Sequence, residues 1–193
     1  PYAAEVLSRI FDDANTLIDG ANVVPERMIM QLLAPTDGHP KISIQANGVP
    51  YEYNYDPNST YSSKNYAELS STTDMWNDTE NSDPLDDVSV ALDAVEAETG
   101  ERPSIMIISR KTMDYLKQNK KIRNAILAQN ATANIFMNDN RVKEVFSNEL
   151  GISVIVYSKQ YKDETGKAQK FYPDGFATLI PTGALGNTWY GTT

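Results

Sequence analysis

The sequence predicts a mixed α and β protein organised around one α/β layer. Three observations carry this. Residues 83–110 read as a capped helix, a tight turn, a covered strand and the start of a second helix. Ile152–Tyr157 is a β-branched run, and Phe176–Ile180 is a further short strand. Asn47-Gly48 joins two segments that alternate polar and apolar residues, a strong hairpin signal because both turn residues tolerate positive φ.

In order along the chain, Ala3–Leu17 has Val6, Ile10, Ala14 and Leu17 on one side of a helix and Asp12 and Asp13 on the other. Asp19-Gly20-Ala21-Asn22 interrupts the pattern, and Pro25 restarts it through Met28, Ile29, Leu32 and Leu33 up to Pro35. The two segments read as two helices or as one long helix kinked near Gly20; we favour a near-continuous rod. Lys41–Gln45 and Val49–Tyr55 are the hairpin arms. Residues 56–81 are polar, rich in Ser, Thr, Asn and Tyr, with Trp76 as the one large anchor. An irregular connection of that length is unusual in a compact domain.

Within 83–110, Asp83 is placed to cap the helix and Pro84 suits its first position. Asp86 and Asp87 put negative charge in the first turn. Leu85, Val88, Leu92 and Val95 form the apolar stripe, Gly100 suits the helix end, and Pro103 blocks continuation. Ile105–Ile108 is the strand, and Ser109 caps a helix carrying Met113 and Leu116 inward. A helix is expected within 119–128. A polar segment, 129–140, is broken by Ile135-Phe136-Met137, and Asp139 is expected to cap a helix over Val142, Val145, Phe146 and Leu150, closed by Gly151. Asp163-Glu164-Thr165-Gly166 reads as a hairpin turn.

The chain has 193 residues, enough for one domain or two lobes, and is 40% hydrophobic, enough for a real core. Its net charge of −9 disfavours phosphate-backbone binding by bulk field. With no cysteine, this chain forms no disulfide or thiolate metal site and uses no thiol nucleophile. No apolar run approaches the ~20 residues that span a bilayer. Pro1 and the closing Tyr190–Thr193 read as cut ends, so the chain is expected to be a piece of a longer one, monomeric or weakly associating by itself.

Candidate chemistry is sparse. His39, the only histidine, lies in a Gly-His-Pro turn and reads as an exposed turn residue. Asp12, Asp13, Asp83, Asp86 and Asp87 read as helix starts and solvated faces, with no calcium-loop spacing. The glycines of Gly183–Gly191 follow a strand as a phosphate loop would, but the aromatic Asn187–Tyr190 replaces the required helix. Lys117, Lys120, Lys121 and Arg123 form a basic cluster, read as a solvated face or, alternatively, a contact with an acidic surface. No catalytic, cofactor-binding or metal residue is assigned.

The order of these pieces resembles a known family. It runs from Pro25-Glu26-Arg27-Met28 and Gln31-Leu32-Leu33 through the hairpin, Asp83-Pro84-Leu85, Thr99-Gly100, Pro103 and Ile105–Ser109. It closes with Val142, Leu150-Gly151-Ile152, Pro173-Asp174-Gly175 and, most specifically, Leu179–Gly186 with Tyr190-Gly191-Thr192. This is similar to the major capsid protein E family of tailed bacteriophages, the lambda-type shell proteins.

The resemblance implies an α+β, Hong-Kong-97-type capsid fold. Residues 1–55 would be part of a peripheral lobe, with the spine helix and β-ribbon. Residues 56–82 would be an irregular connection, 83–185 an α/β axial lobe, and 186–193 the start of a return to the peripheral lobe. Gln129–Asn140 would lie in the loop near the capsomer axis. The family's N-terminal arm and extended loop are not evident here. The implied role is structural and not enzymatic, in the virion and, during assembly, in the host cytoplasm. Implied partners are copies of the chain, with scaffolding, portal and decoration proteins, and neither sequence-specific nucleic acid nor membrane. Two other classes are weighed beside it. A small α/β enzyme using carboxylates would carry a deep pocket with converging Asp or Glu. A tail or decoration module would carry one discrete apolar patch.

Overall fold

The computed structural model describes residues 20–46, 48–129, 137–163, 165–183 and 185. In chain order its elements are α1 (20–33), β1 (Lys41–Ala46), β2 (Val49–Asn54), α2 (Ser62–Asn65), α3 (Pro84–Thr99), β3 (Ile105–Ser109), α4 (Arg110–Gln118), α5 (Lys120–Gln129), α6 (Asp139–Leu150), β4 (Ser153–Tyr157), β5 (Gln160–Lys162), β6 (Ala168–Lys170) and β7 (Ala177–Ile180). They fall into two compact units: Pro1–Ser63 with Lys159–Tyr172, and Lys64–Ser158 with Pro173–Thr193. Lys159–Tyr172, inside the 83–185 stretch read from sequence as one lobe, thus groups with the first unit.

The second unit is built on a three-stranded sheet in the order β4-β3-β7. β3 is central, parallel to β4 and antiparallel to β7, with Ile107 opposite both Ile155 and Thr178. A parallel pair needs a long crossover. Here α4, α5 and α6 supply it. Met106 and Ile108 of β3 are sealed from water with Leu92, Met113, Leu116, Ile122, Ile126, Val142, Val145, Phe146, Ile152 and Val154. Burying one such side chain fully is worth roughly 1.5–3 kcal/mol, so this cluster dominates the unit's stability.

The helix ends follow their sequence signals. The Asp83 carboxylate accepts from the Asp86 N–H at 3.4 Å, and Pro84 opens α3. Gly100 closes it in the left-handed region (φ 76°), where a side chain would be strained, and donates its N–H to the Glu96 carbonyl. Ser109 caps α4, accepting from the Thr112 N–H at 3.1 Å. One expectation is corrected. Asn138, not Asp139, caps α6, accepting from the Arg141 N–H at 3.0 Å. Asp139 lies one residue inside, where its charge meets Arg110 and Lys117. Of Ile135-Phe136-Met137, Met137 packs half-buried on the core; the other two lie outside the described residues.

Asn119, fully buried, joins α4 to α5. Its Oδ1 accepts from the Ile122 N–H at 3.1 Å, and its Nδ2 donates to the Ser82 carbonyl and hydroxyl at 3.1 and 3.0 Å. One side chain thereby caps a helix and ties down the end of the long polar connection. Trp76 anchors the same connection, its indole N–H donating to Asp87 at 2.8 Å. Burial pushes the Asp87 carboxyl above its ordinary range despite that bond.

In the first unit α1 is helical without a break through Asn22–Pro25, while the junction with the preceding segment, on which one rod or two helices turns, lies outside the described residues. The proposed helix at Ala3–Leu17, with Asp12 and Asp13, lies outside the described residues. β1 and β2 pair antiparallel, Ala46 opposite Val49, so the turn has two residues; Gly48 adopts φ 76°, and Asn47 lies outside the described residues. β5 and β6 form a second hairpin. Asp163 organises its turn, accepting from the Thr165 and Lys167 N–H groups at 2.9 and 3.0 Å and the Thr165 hydroxyl at 2.6 Å. The Tyr161 and Phe171 rings lie 4.8 Å apart, and the Arg27 guanidinium stands 5.0 Å over Tyr161. The buried apolar residues described in this unit are few: Met30, Ala34, Ile42, Phe171 and Tyr172.

Candidate functional site

The alternation of the first hairpin sorts its side chains onto two faces. Opposed residues in an antiparallel pair share a face. Ile42 pairs with Tyr53 and Ile44 with Tyr51, and Val49 continues the row. The other face carries Lys41, Ser43, Gln45, Glu52 and Asn54, with Lys41 bridging to Asp37 at 2.6 Å and Glu52 at 3.8 Å. Ile42 is buried, but Val49 is 49% exposed, Tyr51 45%, Tyr53 55% and Tyr55 62%. A polar–apolar ribbon was legible in the sequence. That its aromatic side remains uncovered was not.

The ribbon's edges are managed. Gln31 of α1 turns its carboxamide onto Ser43, donating to the Ser43 carbonyl at 3.1 Å and accepting from its N–H at 3.0 Å. The carboxamide stands in for a neighbouring strand and closes the β1 edge. Since Ser43 faces away from β2, its opposite residue Glu52 also faces outward. The Tyr55 N–H donates to the Pro40 carbonyl at 3.0 Å, which continues the same alternation. The open β2 edge therefore presents Pro50, which has no N–H, and charged Glu52. Both discourage another strand from adding there.

His39 is half-buried, not simply exposed as its turn composition suggests. Its Nδ1 lies 3.3 Å from the Ser62 hydroxyl and 3.8 Å from the Asp56 carboxylate. Histidine, serine and aspartate meet, but not as a nucleophilic triad. A triad needs the nucleophile's hydroxyl and the orienting carboxylate on opposite ring nitrogens of the histidine base; here both face Nδ1. Asp56 itself is buried and fully engaged. It accepts from the Tyr61 N–H at 3.0 Å, the Ser62 N–H at 2.8 Å and the Thr60 hydroxyl at 3.3 Å. Burial would raise its carboxyl, but these hydrogen bonds outweigh it and hold the group well below the usual carboxylate range. Its work is to fold the loop after the ribbon. Asp56-Pro57-Asn58-Ser59 is turn composition, the one sequence signal that could have singled it out.

In the second unit an open depression of about 480 Å³ is lined by Asp83, Leu85, Asp86, Ser89, Ala125, Ala128, Glu149 and Leu150. Asp83 there serves as a helix cap and lies 3.3 Å from Lys121. Among the described residues no group of three or more His, Asp or Glu side chains is placed to hold a metal ion. The basic cluster meets acidic groups of its own chain: Lys117 reaches Asp114 and Asp139, Lys120 reaches Glu80, and Lys121 reaches Asp83. Of the glycine-rich closing segment, Gly183 and Leu185 are described; Gly186–Gly191 and the Tyr190-Gly191-Thr192 motif lie outside the described residues.

Comparison with known proteins gives this architecture a relationship. Two of the solved structures that share the fold are phage-related. One is a phage-related protein from Bordetella bronchiseptica RB50, 15% identical, with a TM-score of 0.57 over 87% of this chain and 45% of that one. The other is a proposed capsid protein of a prophage, from Escherichia coli CFT073, 20% identical, with a TM-score of 0.56 over 87% of this chain and 47% of that one. The chain thus spans somewhat less than half the length of either. No curated protein matches it. The family model described as phage major capsid protein E matches residues 3–193, nearly the whole sequence. The chain therefore belongs to the phage major capsid protein E family, whose role is structural.

Proposed function

We propose that the chain is part of the structural subunit of a bacteriophage or prophage shell, which assembles from its own copies into hexamers and pentamers around a DNA genome. The observation that carries this is the family match across residues 3–193. The fold shared with the prophage protein supports it. On this reading the fold is of the Hong-Kong-97 type. Residues 1–55 contribute the spine helix and β-ribbon of a peripheral domain, 56–82 connect, 83–185 apart from the Lys159–Tyr172 hairpin segment form most of an axial domain, and 186–193 start the return.

A shell subunit needs a stiff body and several contact surfaces in place of a reactive group. The sealed core around Phe146 and Leu92 supports the first requirement. Exposed apolar side chains in both units support the second: Val24, Ile29 and Tyr53 in the first, Val90, Leu127 and Ile155 in the second. The net charge of −9 suits a wall that must not bind packaged DNA tightly or read its sequence. Scaffolding, portal and decoration proteins are the further partners of such a subunit, which acts in the virion after assembly in the host cytoplasm.

The test is electron microscopy of the full-length protein produced with its scaffold. Closed shells or capsomers are expected. A protein that stays monomeric under every assembly condition overturns the reading.

A further inference from the structure

We infer that residues 71–82 form a latch that lies across the first turn of α3 and the α4–α5 junction and opens as one piece while the core beneath stays closed. The segment is polar. Its large apolar side chains are Met75, which is exposed, and Trp76, which packs half-buried on the core cluster. It also holds its own shape. The Asp74 and Met75 N–H groups donate to the Ser71 carbonyl at 3.1 and 3.2 Å, and the Asp78 carboxylate accepts from the Glu80 and Asn81 N–H groups at 3.2 and 3.1 Å. The Ser82 hydroxyl donates to the Asp78 carbonyl at 2.6 Å. A segment tied to itself in this way moves as a unit.

Its hold on the body is uneven. At one end the buried Asn119 donates to the Ser82 carbonyl and hydroxyl, which fixes a pivot. Next, the Lys120 N–H donates to the Thr79 carbonyl at 2.8 Å, and the exposed Lys120 ammonium meets Glu80 at 3.2 Å. Trp76 is the clasp furthest from the pivot, its indole resting on the core and its N–H on Asp87. Few apolar contacts and exposed hydrogen bonds mark a segment that opens well below the free energy of global unfolding. Closure also confines charge. Asp83 and Asp86 of the same helix and Asp74 of the latch face Asp87 with like charge, while Lys121 of α5 stands 3.3 Å from Asp83. Burial raises the Asp87 carboxyl, so its charge opposes closure. A proton taken up as pH falls relieves both the burial and the repulsion, and the latch tightens in mild acid.

Hydrogen exchange of the full-length protein, read by mass spectrometry in low and rising urea, tests the latch. Peptides covering 74–82 should exchange together through an opening that urea barely favours, and peptides covering 88–92 through one that urea favours steeply. Val142→Ala, which weakens the core and not the latch, should speed exchange of 88–92 about tenfold and leave 74–82 unchanged. Trp76→Phe, which keeps a ring and loses the N–H, should speed 74–82 by about three- to tenfold. Corrected for intrinsic exchange at each pH, protection of 74–82 should rise about threefold or more between about pH 7 and about pH 4.5. Asp87→Asn, which keeps an acceptor for the indole, should abolish that rise. If Val142→Ala speeds both regions equally, or 74–82 opens only with strong urea dependence, the latch is overturned. If protection does not rise in acid, or still rises in Asp87→Asn, its tightening through Asp87 is overturned.

Discussion

Around Phe146, Leu92 and Ile108 the second unit packs side chains that water does not reach, from helices on one side and a sheet on the other. The first unit buries only Met30, Ala34, Ile42, Phe171 and Tyr172 among its described apolar residues and leaves a tyrosine row exposed. Its order comes instead from polar clamps: Gln31 on Ser43, Asp56 on residues 60–62, Asp163 on residues 165–167. One unit carries its own stability. The described part of the other is held in shape largely by hydrogen bonds.

Core truncation should break the comparison most visibly. Phe146→Ala should cost about 3–5 kcal/mol, whereas Ile42→Ala in the thinner core should fall near the low end of the ~2–5 kcal/mol range, both read by urea unfolding. Equal losses would mean that the first unit is packed as tightly as the second. Next comes Asn119→Ala, which strands the buried Ser82 groups and removes the cap of α5; a loss of about 1–3 kcal/mol is expected.

Acid should separate the units in a smaller way. The carboxyls held furthest below the usual range, Asp56 and Asp163, both belong to the first unit. A lowered folded value means a contribution complete above the ordinary ~3.9 and lost as pH falls through the folded value. Asp87, raised by burial, has the opposite sign: its penalty is relieved as pH falls. Hydrogen exchange should therefore show residues 56–62 losing protection on acidification, and Asp56→Asn should flatten that dependence. Unchanged protection down to the acid transition would remove Asp56 from the account. Smallest of all is Tyr53→Ser, which should change unfolding free energy by less than about 0.5 kcal/mol. A large loss of stability would show that Tyr53 serves its own fold.

Local chemistry carried most of the legible fold. Asp83, Pro84, Gly100 and Ser109 act within one turn of the backbone they cap, so their roles can be read from neighbours in sequence. The strands at 105–109, 153–157 and 177–180 and the Asn47-Gly48 hairpin follow from side-chain period for the same reason. The Asn138 and Asp139 exchange marks the limit: two adjacent capping residues are equivalent until Arg110 and Lys117 draw the second one to themselves. The family resemblance, too, was legible, because it rests on motif order.

What the tertiary structure alone decided are the long-range choices. Nothing local says that β3 lies between β4 and β7, that Asn119 reaches Ser82, that Gln31 seals the β1 edge, or that His39 meets Asp56. Such pairings join residues far apart in sequence, and their energy exists only once the chain has closed the loop between them. The same holds for exposure. Alternation in Val49–Tyr55 predicts an apolar face, but how far that face is covered depends on long-range packing; among the described residues Val49, Tyr51, Tyr53 and Tyr55 stay about half exposed.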